Sequence, residues 1–116
     1  MEAPEMLDAL ALFDRPAIRL VFDTGNRAAL GQDLEKDIRM FGSRIAHVHL
    51  KDKTRANENV ILGTGVVNFA SVFRALAEKG YSGLYTFETH RGKHPLRTAA
   101  YNVAFATHFH RDASSR

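Results

Sequence analysis

Cysteine is absent from this chain of 116 residues. Its absence excludes disulfides, thiolate nucleophiles and cysteine-ligated zinc, and it fits a reducing, cytoplasmic setting. Long hydrophobic runs are missing too. None approaches the ~20 residues that span a bilayer, and the opening Met1–Asp8 stretch is acidic, unlike a secretory signal. No membrane partner is therefore expected. Positive charge is in modest excess, at a formal net charge of +3. A nucleic-acid groove carries a larger basic field with aromatic platforms, so no nucleic-acid partner is expected. The local cations Lys51, Lys53 and Arg55 suit a phosphorylated small molecule equally well. A nucleophile-elbow serine is lacking, and Gly63-Thr64-Gly65 is not a P-loop because the Lys-Ser/Thr ending does not follow. That segment offers backbone N–H groups, although a tight turn alone accounts for its glycines.

What is present is an ordinary globular composition, 45% apolar and 25% charged. The length suits one domain, but a complete (β/α)₈ barrel needs about 250 residues. Met6, Leu10 and Phe13 form one apolar stripe, predicting a helix over residues 5–13 that Asp14-Arg15-Pro16 closes. Residues 18–23 read as a strand with Thr24-Gly25-Asn26 as its exit turn. Leu34, Ile38 and Phe41 predict a second helix that stops at Gly42. Ile45–Leu50 is the next strand, and residues 51–67 read as a long polar loop. Asn68 caps a helix carrying Phe69, Val72, Phe73 and Leu76, which Gly80 ends. Leu84–Glu88 is the third strand. Pro95 opens a last helix with Leu96, Ala99, Ala100, Val103 and Phe105 on its expected buried side. The domain is read as residues 1–111, with 112–116 as a flexible tail. The regular alternation predicts an α/β fold of parallel strands with helical crossovers. Spacing alone does not separate a barrel sector from a small open sheet.

Each of the three strands ends in a residue that ligates metals: Asp23, His49 and Glu88. An aspartate after a strand is usually a turn residue, and a lone histidine is usually packed. Their shared position is what matters, because residues ending adjacent parallel strands converge on one mouth. Two carboxylates and an imidazole suit a divalent transition metal. His47 shares the face of His49, with Val48 opposite. Either both bind metal or one packs below the other, and the deeper His47 is assigned the structural place. His90 shares the face of Glu88 if the strand continues. His108 and His110 lie two apart on a helix and diverge.

At these residues the chain resembles a known family. Val21-Phe22-Asp23-Thr24-Gly25-Asn26 and Arg44-Ile45-Ala46-His47-Val48-His49-Leu50-Lys51-Asp52 are similar to motifs of the xylose-isomerase-like TIM-barrel family of sugar and sugar-phosphate isomerases and epimerases. Leu62–Phe69, Gly80–Gly83 and Thr86–Gly92 extend the resemblance to nearly the whole chain. It implies three C-terminal βα units of a (β/α)₈ TIM barrel, a partial barrel with parallel strands. By the same resemblance Asp23, His49 and Glu88 are metal ligands, with Mn²⁺ as the first expectation and Co²⁺, Zn²⁺ or Mg²⁺ as alternatives. Glu88 is the catalytic acid/base, and Asn26, Lys51, Arg55 and His90 are substrate-binding residues. Asn26 stands where many relatives carry a histidine, a version that resembles the pentulose-phosphate 3-epimerase branch.

The implied reaction is proton transfer beside a sugar carbonyl, through a cis-enediolate stabilised by the metal. A fourth ligand, a glutamate from an earlier strand, has no counterpart before residue 18. The site is thus expected to be incomplete in this chain alone, as a gene fragment starting at an internal methionine would be. A non-catalytic barrel fragment or a split-barrel subunit, completed by self-association or by a separate N-terminal half-barrel, is the alternative. Endonucleases of the apurinic-site type share this superfamily, but draw on more histidine and carboxylate ligands than these strands provide.

Overall fold

The computed structural model describes every residue except Asp14, Pro16 and Arg116. Helix α1 (Ala3–Ala11) leads to strand β1 (Leu20–Asp23), and the proposed stop at Asp14-Arg15-Pro16 lies outside the described residues except for Arg15. Helices α2 (Thr24–Ala29) and α3 (Leu34–Phe41), a short 3₁₀ turn and strand β2 (Ile45–Leu50) follow. A small hairpin of β3 (Asp52–Lys53) and β4 (Asn59–Val60) precedes helix α4 (Phe69–Glu78), strand β5 (Leu84–Phe87) and helix α5 (Pro95–Ser114). Strands β1, β2 and β5 form one sheet in that order, parallel throughout.

Side-chain capping explains where the helices start. Asp33 accepts the Lys36 N–H at 3.1 Å and Asn68 accepts the Ser71 N–H at 3.1 Å, each satisfying a first-turn donor. Gly42 and Gly80 end α3 and α4 with φ of 52° and 72°, values that disfavour a side chain. Phe22, Val48 and Leu50 are fully buried on one face of the sheet. There they join Ile38 and Phe41 of α3 and Val72, Phe73 and Leu76 of α4 in one core.

The opposite face is open. Val21, His47 and Leu84 lie in one row across the three strands, and Val21 is 54% and Leu84 74% exposed. Parallel sheets normally cover both faces. This row is the layer that a closed barrel would pack inside itself.

Four expectations are corrected. Thr24-Gly25-Asn26 is no exit turn but the first turn of α2, because the Asp23 side chain accepts the Asn26 N–H at 2.8 Å and caps a helix. The loop over residues 51–67 contains the β3–β4 hairpin, organised around a buried acid described below. Helix α5 continues through Ser114, so residues 112–114 are helical and not a tail. Its buried side also differs: Leu96 is 88% and Val103 55% exposed, and Ala99 and Ala100 are exposed with them. Phe105, as expected, and Phe109 pack inward against Phe69 and Phe73. Two apolar stripes compete on this helix, and the one with the larger rings is buried because it removes more apolar surface from water.

A buried ion pair ties α2 to α3. Arg27 Nε and Nη2 donate to Asp37 Oδ2 at 2.9 and 2.7 Å, and both side chains are at most 10% exposed. Arg27 also lies over the Phe41 ring, 5.4 Å from its centroid. Removing one partner leaves the other as an unpaired buried charge. Asp37→Ala is therefore expected to lose about 3–5 kcal/mol of folding stability, read from urea denaturation.

Candidate metal centre

The site is built by the parallel register. Asp23 pairs with His49 across β1 and β2, and His49 pairs with Thr86 across β2 and β5. Glu88 follows β5 and extends the ladder by donating its N–H to the Leu50 carbonyl at 3.0 Å. The period of two turns Asp23 and His49 to the open face and leaves Phe22, Val48 and Leu50 in the core.

Asp23, His49 and Glu88 meet here, with one ligand atom from each lying within 4.8 Å of the others. His49 Nδ1 stands 3.3 Å from Glu88 Oε2 and 3.8 Å from Asp23 Oδ2. The two oxygens of Asp23 have separate tasks. Oδ1 caps α2, whereas Oδ2 is buried with no hydrogen-bond partner. Its nearest nitrogen neighbours, Lys51 Nζ at 3.5 Å and His49 Nδ1 at 3.8 Å, stand outside close hydrogen-bonding range, so this buried carboxylate oxygen still has room for a closer partner. Metal bonds of about 2.0–2.2 Å would draw this donor set inward, so the residues fit a divalent cation. Among the described residues, this is the cluster of three or more metal-binding side chains.

Lys51 joins the triad. Its Nζ lies 3.0 Å from Glu88 Oε2 and 3.5 Å from Asp23 Oδ2. The hydrogen bond from Lys51 holds the Glu88 carboxyl below the usual carboxylate range, against the opposing effect of burial. Burial pulls the Lys51 ammonium down, but the Glu88 hydrogen bond and the charges of Asp23 and Glu88 outweigh it and raise it overall.

His47 sits beneath His49, with ring centroids 4.9 Å apart in an edge-on contact. Its Nε2 is 2.5 Å from Thr86 Oγ1, so it packs against the ligand layer from below. Other candidates are less concentrated. Asn26 donates its backbone N–H to Asp23 while the residue is exposed. His90 is exposed beyond β5, and Arg55 lies on the exposed β3–β4 turn along a groove with Gln32, Asn68 and Ser71. His110 packs near Phe73 and Tyr85, and His108 is exposed.

Sequence reasoning passed over two supports. Asp52, 1% exposed, accepts backbone N–H groups from Lys53, Gly63, Gly65 and Val67 at 2.9–3.1 Å. The N–H groups of the glycine segment thus serve a residue of the protein. A Cβ at Gly65 would collide with the Asp52 carboxylate and the Lys53 carbonyl, so the loop closes only around glycine. The second support is Thr24, whose buried hydroxyl bonds the Lys51 backbone. The paired glycines eleven and thirteen residues after Asp52 were the available signal for the first. Thr24 left none.

The family model for the xylose isomerase-like TIM barrel matches residues 2–108. The chain belongs to this family. It is 36% identical over 77 residues to L-ribulose-5-phosphate 3-epimerase UlaE of Escherichia coli O1:K1 / APEC, a match covering 66% of this chain and 27% of that protein. The structure of an L-ribulose 3-epimerase superposes with a TM-score of 0.82 at 22% identity, covering 96% of this chain and 42% of the other. A xylose isomerase domain protein from Planctomyces limnophilus gives 0.83 at 20% identity, covering 100% and 46%. The chain therefore has a partial TIM-barrel fold, and its match spans about a quarter of the curated relative.

Asp52→Ala would leave four backbone donors without their acceptor. The expected outcome is a stability loss of about 3 kcal/mol or more, with amide exchange accelerated at Gly63 and Gly65, read by hydrogen–deuterium exchange.

Proposed function

We propose that this chain carries the metal-binding end of a sugar or sugar-phosphate isomerase or epimerase. The observation that carries the reading is the cluster of Asp23, His49 and Glu88 at the carboxyl ends of three adjacent parallel strands. The relationship to a pentulose-phosphate 3-epimerase supports a pentulose or its phosphate as substrate class.

In this reading the three residues hold a divalent cation, Mn²⁺ first and Co²⁺, Fe²⁺, Zn²⁺ or Mg²⁺ as alternatives. When bound, the metal supplies Lewis acidity toward a sugar carbonyl and its neighbouring hydroxyl, favouring the cis-enediolate of the sugar. Glu88, at the solvent-facing side of the cluster, moves the proton beside that carbonyl. Asn26, Lys51, Arg55 and His90 are assigned to substrate hydroxyls or phosphate. No helix of the described residues is long and apolar enough to cross a membrane. A cytoplasmic location is part of the proposal.

Inverting a centre requires proton removal on one face and return on the other. In this reading Glu88 serves one face of the substrate, and the opposing group is supplied by further barrel elements. The open row of Val21, His47 and Leu84 favours the same conclusion and supports a second reading: a barrel sector completed by an N-terminal half-barrel or by self-association.

Calorimetric titration with Mn²⁺ tests the centre. One-to-one binding is expected in the wild-type chain, with Asp23→Ala and Glu88→Ala each weakening it at least tenfold; no binding to the folded chain refutes the reading. Size-exclusion chromatography of the purified chain is expected to show oligomers. A compact, stable monomer would count against the need for completion.

A further inference from the structure

Lys51 is fixed at its root, and among the described residues its tip is held only by ion pairs to the acids of the candidate metal centre. Thr24 Oγ1 accepts the Lys51 N–H at 3.0 Å and donates to the Lys51 carbonyl at 2.6 Å, and Thr24 is wholly buried. Gly25 presses on the same residue. A Cβ there would stand 2.7 Å from Lys51 Cγ and 3.0 Å from Lys51 Cβ, so a larger residue would displace the stem. From this clamp the stem carries Nζ to 3.0 Å from Glu88 Oε2 and 3.5 Å from Asp23 Oδ2. The Lys51 side chain is only 15% exposed. Its ammonium therefore addresses both acids of the candidate metal centre from a largely enclosed position.

Two carboxylates held beside one imidazole repel each other unless a cation stands with them. We infer that Lys51 is a built-in counter-ion of the metal-free centre: its ammonium holds Asp23 and Glu88 together and must withdraw before the two can hold a divalent cation. This inference rests on reading the triad as a metal site. Lysine suits the task by its shape. Its ammonium is a compact charge on a flexible stem, while the broad planar fork of an arginine would grip a carboxylate bidentately. An ammonium has donors only, so Lys51 cannot itself become a ligand while it keeps its proton. The withdrawal breaks no covalent bond and transfers no proton. Its consequence is a centre assembled in advance of the metal, at a cost in metal affinity. The clamp at Thr24 and Gly25 leaves the Lys51 backbone in place while the tip moves.

The test compares the wild type with Lys51→Met, which keeps the length of the stem and removes the charge. Mn²⁺ affinity by calorimetry is expected to tighten about tenfold in K51M. The melting temperature of its metal-free form is expected to fall, and Glu88→Gln placed on K51M should restore it by relieving the repulsion. Equal or weaker Mn²⁺ binding in a folded K51M overturns the inference. If neither chain binds Mn²⁺, the metal reading fails by itself. The counter-ion is then decided by metal-free melting alone: a loss in K51M rescued by E88Q sustains it, and an unchanged or unrescued melting temperature refutes it.

Discussion

The pairing of Asp23 with His49 across two parallel strands is the constraint on which the site depends. The strand period sends every second side chain to the open face, so this register decides that two ligand-type residues share a row. A slip by one residue would put Phe22 and Val48 at the mouth and drive Asp23 toward the core. Burial of Phe22, Val48 and Leu50 against α3 and α4 opposes that slip. The hydrophobic core thus holds the polar row in place.

Around that row, single residues serve two elements at once. Asp23 ends a strand, caps a helix through Oδ1 and presents Oδ2 to the cluster. Thr24 begins α2 and clamps the backbone of Lys51, and Asp52 next to it gathers the returning loop. Chain segments distant in sequence therefore reach the site through buried polar contacts, where a missing partner is costly. The charges are arranged as a closed set: Lys51 faces Glu88 and Asp23, and His49 lies between the two acids.

The sheet is finished on one face only. Helices cover Phe22, Val48 and Leu50, whereas the row containing Val21 and Leu84 faces outward. Membership in the xylose isomerase-like TIM-barrel family explains this asymmetry, since the outward row corresponds to the packed interior of a closed barrel. The exposed stripe of Leu96 and Val103 on α5 is a second surface of the same kind. A barrel helix normally lies between two neighbours, and α5 has α4 on one side.

Much of this was legible in the chain itself. The strand and helix alternation, the Asn68 cap, the stops at Gly42 and Gly80, and the convergence of Asp23, His49 and Glu88 all follow from local periodicity, capping chemistry and strand order. Those signals are short-range, so neighbouring residues suffice to carry them. Three features depended on contacts between distant segments. The burial of Asp52 needed the return of Gly63 and Gly65, and the position of Lys51 needed Thr24 from another βα unit. The inward face of α5 was settled by the rings of Phe69 and Phe73, which the helix meets only after folding. The sequence by itself determined the three parallel strands, the helices other than α2 and the ligand types, because periodicity and side-chain chemistry are local. Only the tertiary structure decided which of two apolar stripes was buried and which cation stood among the acids, because both are competitions between surfaces far apart in the chain.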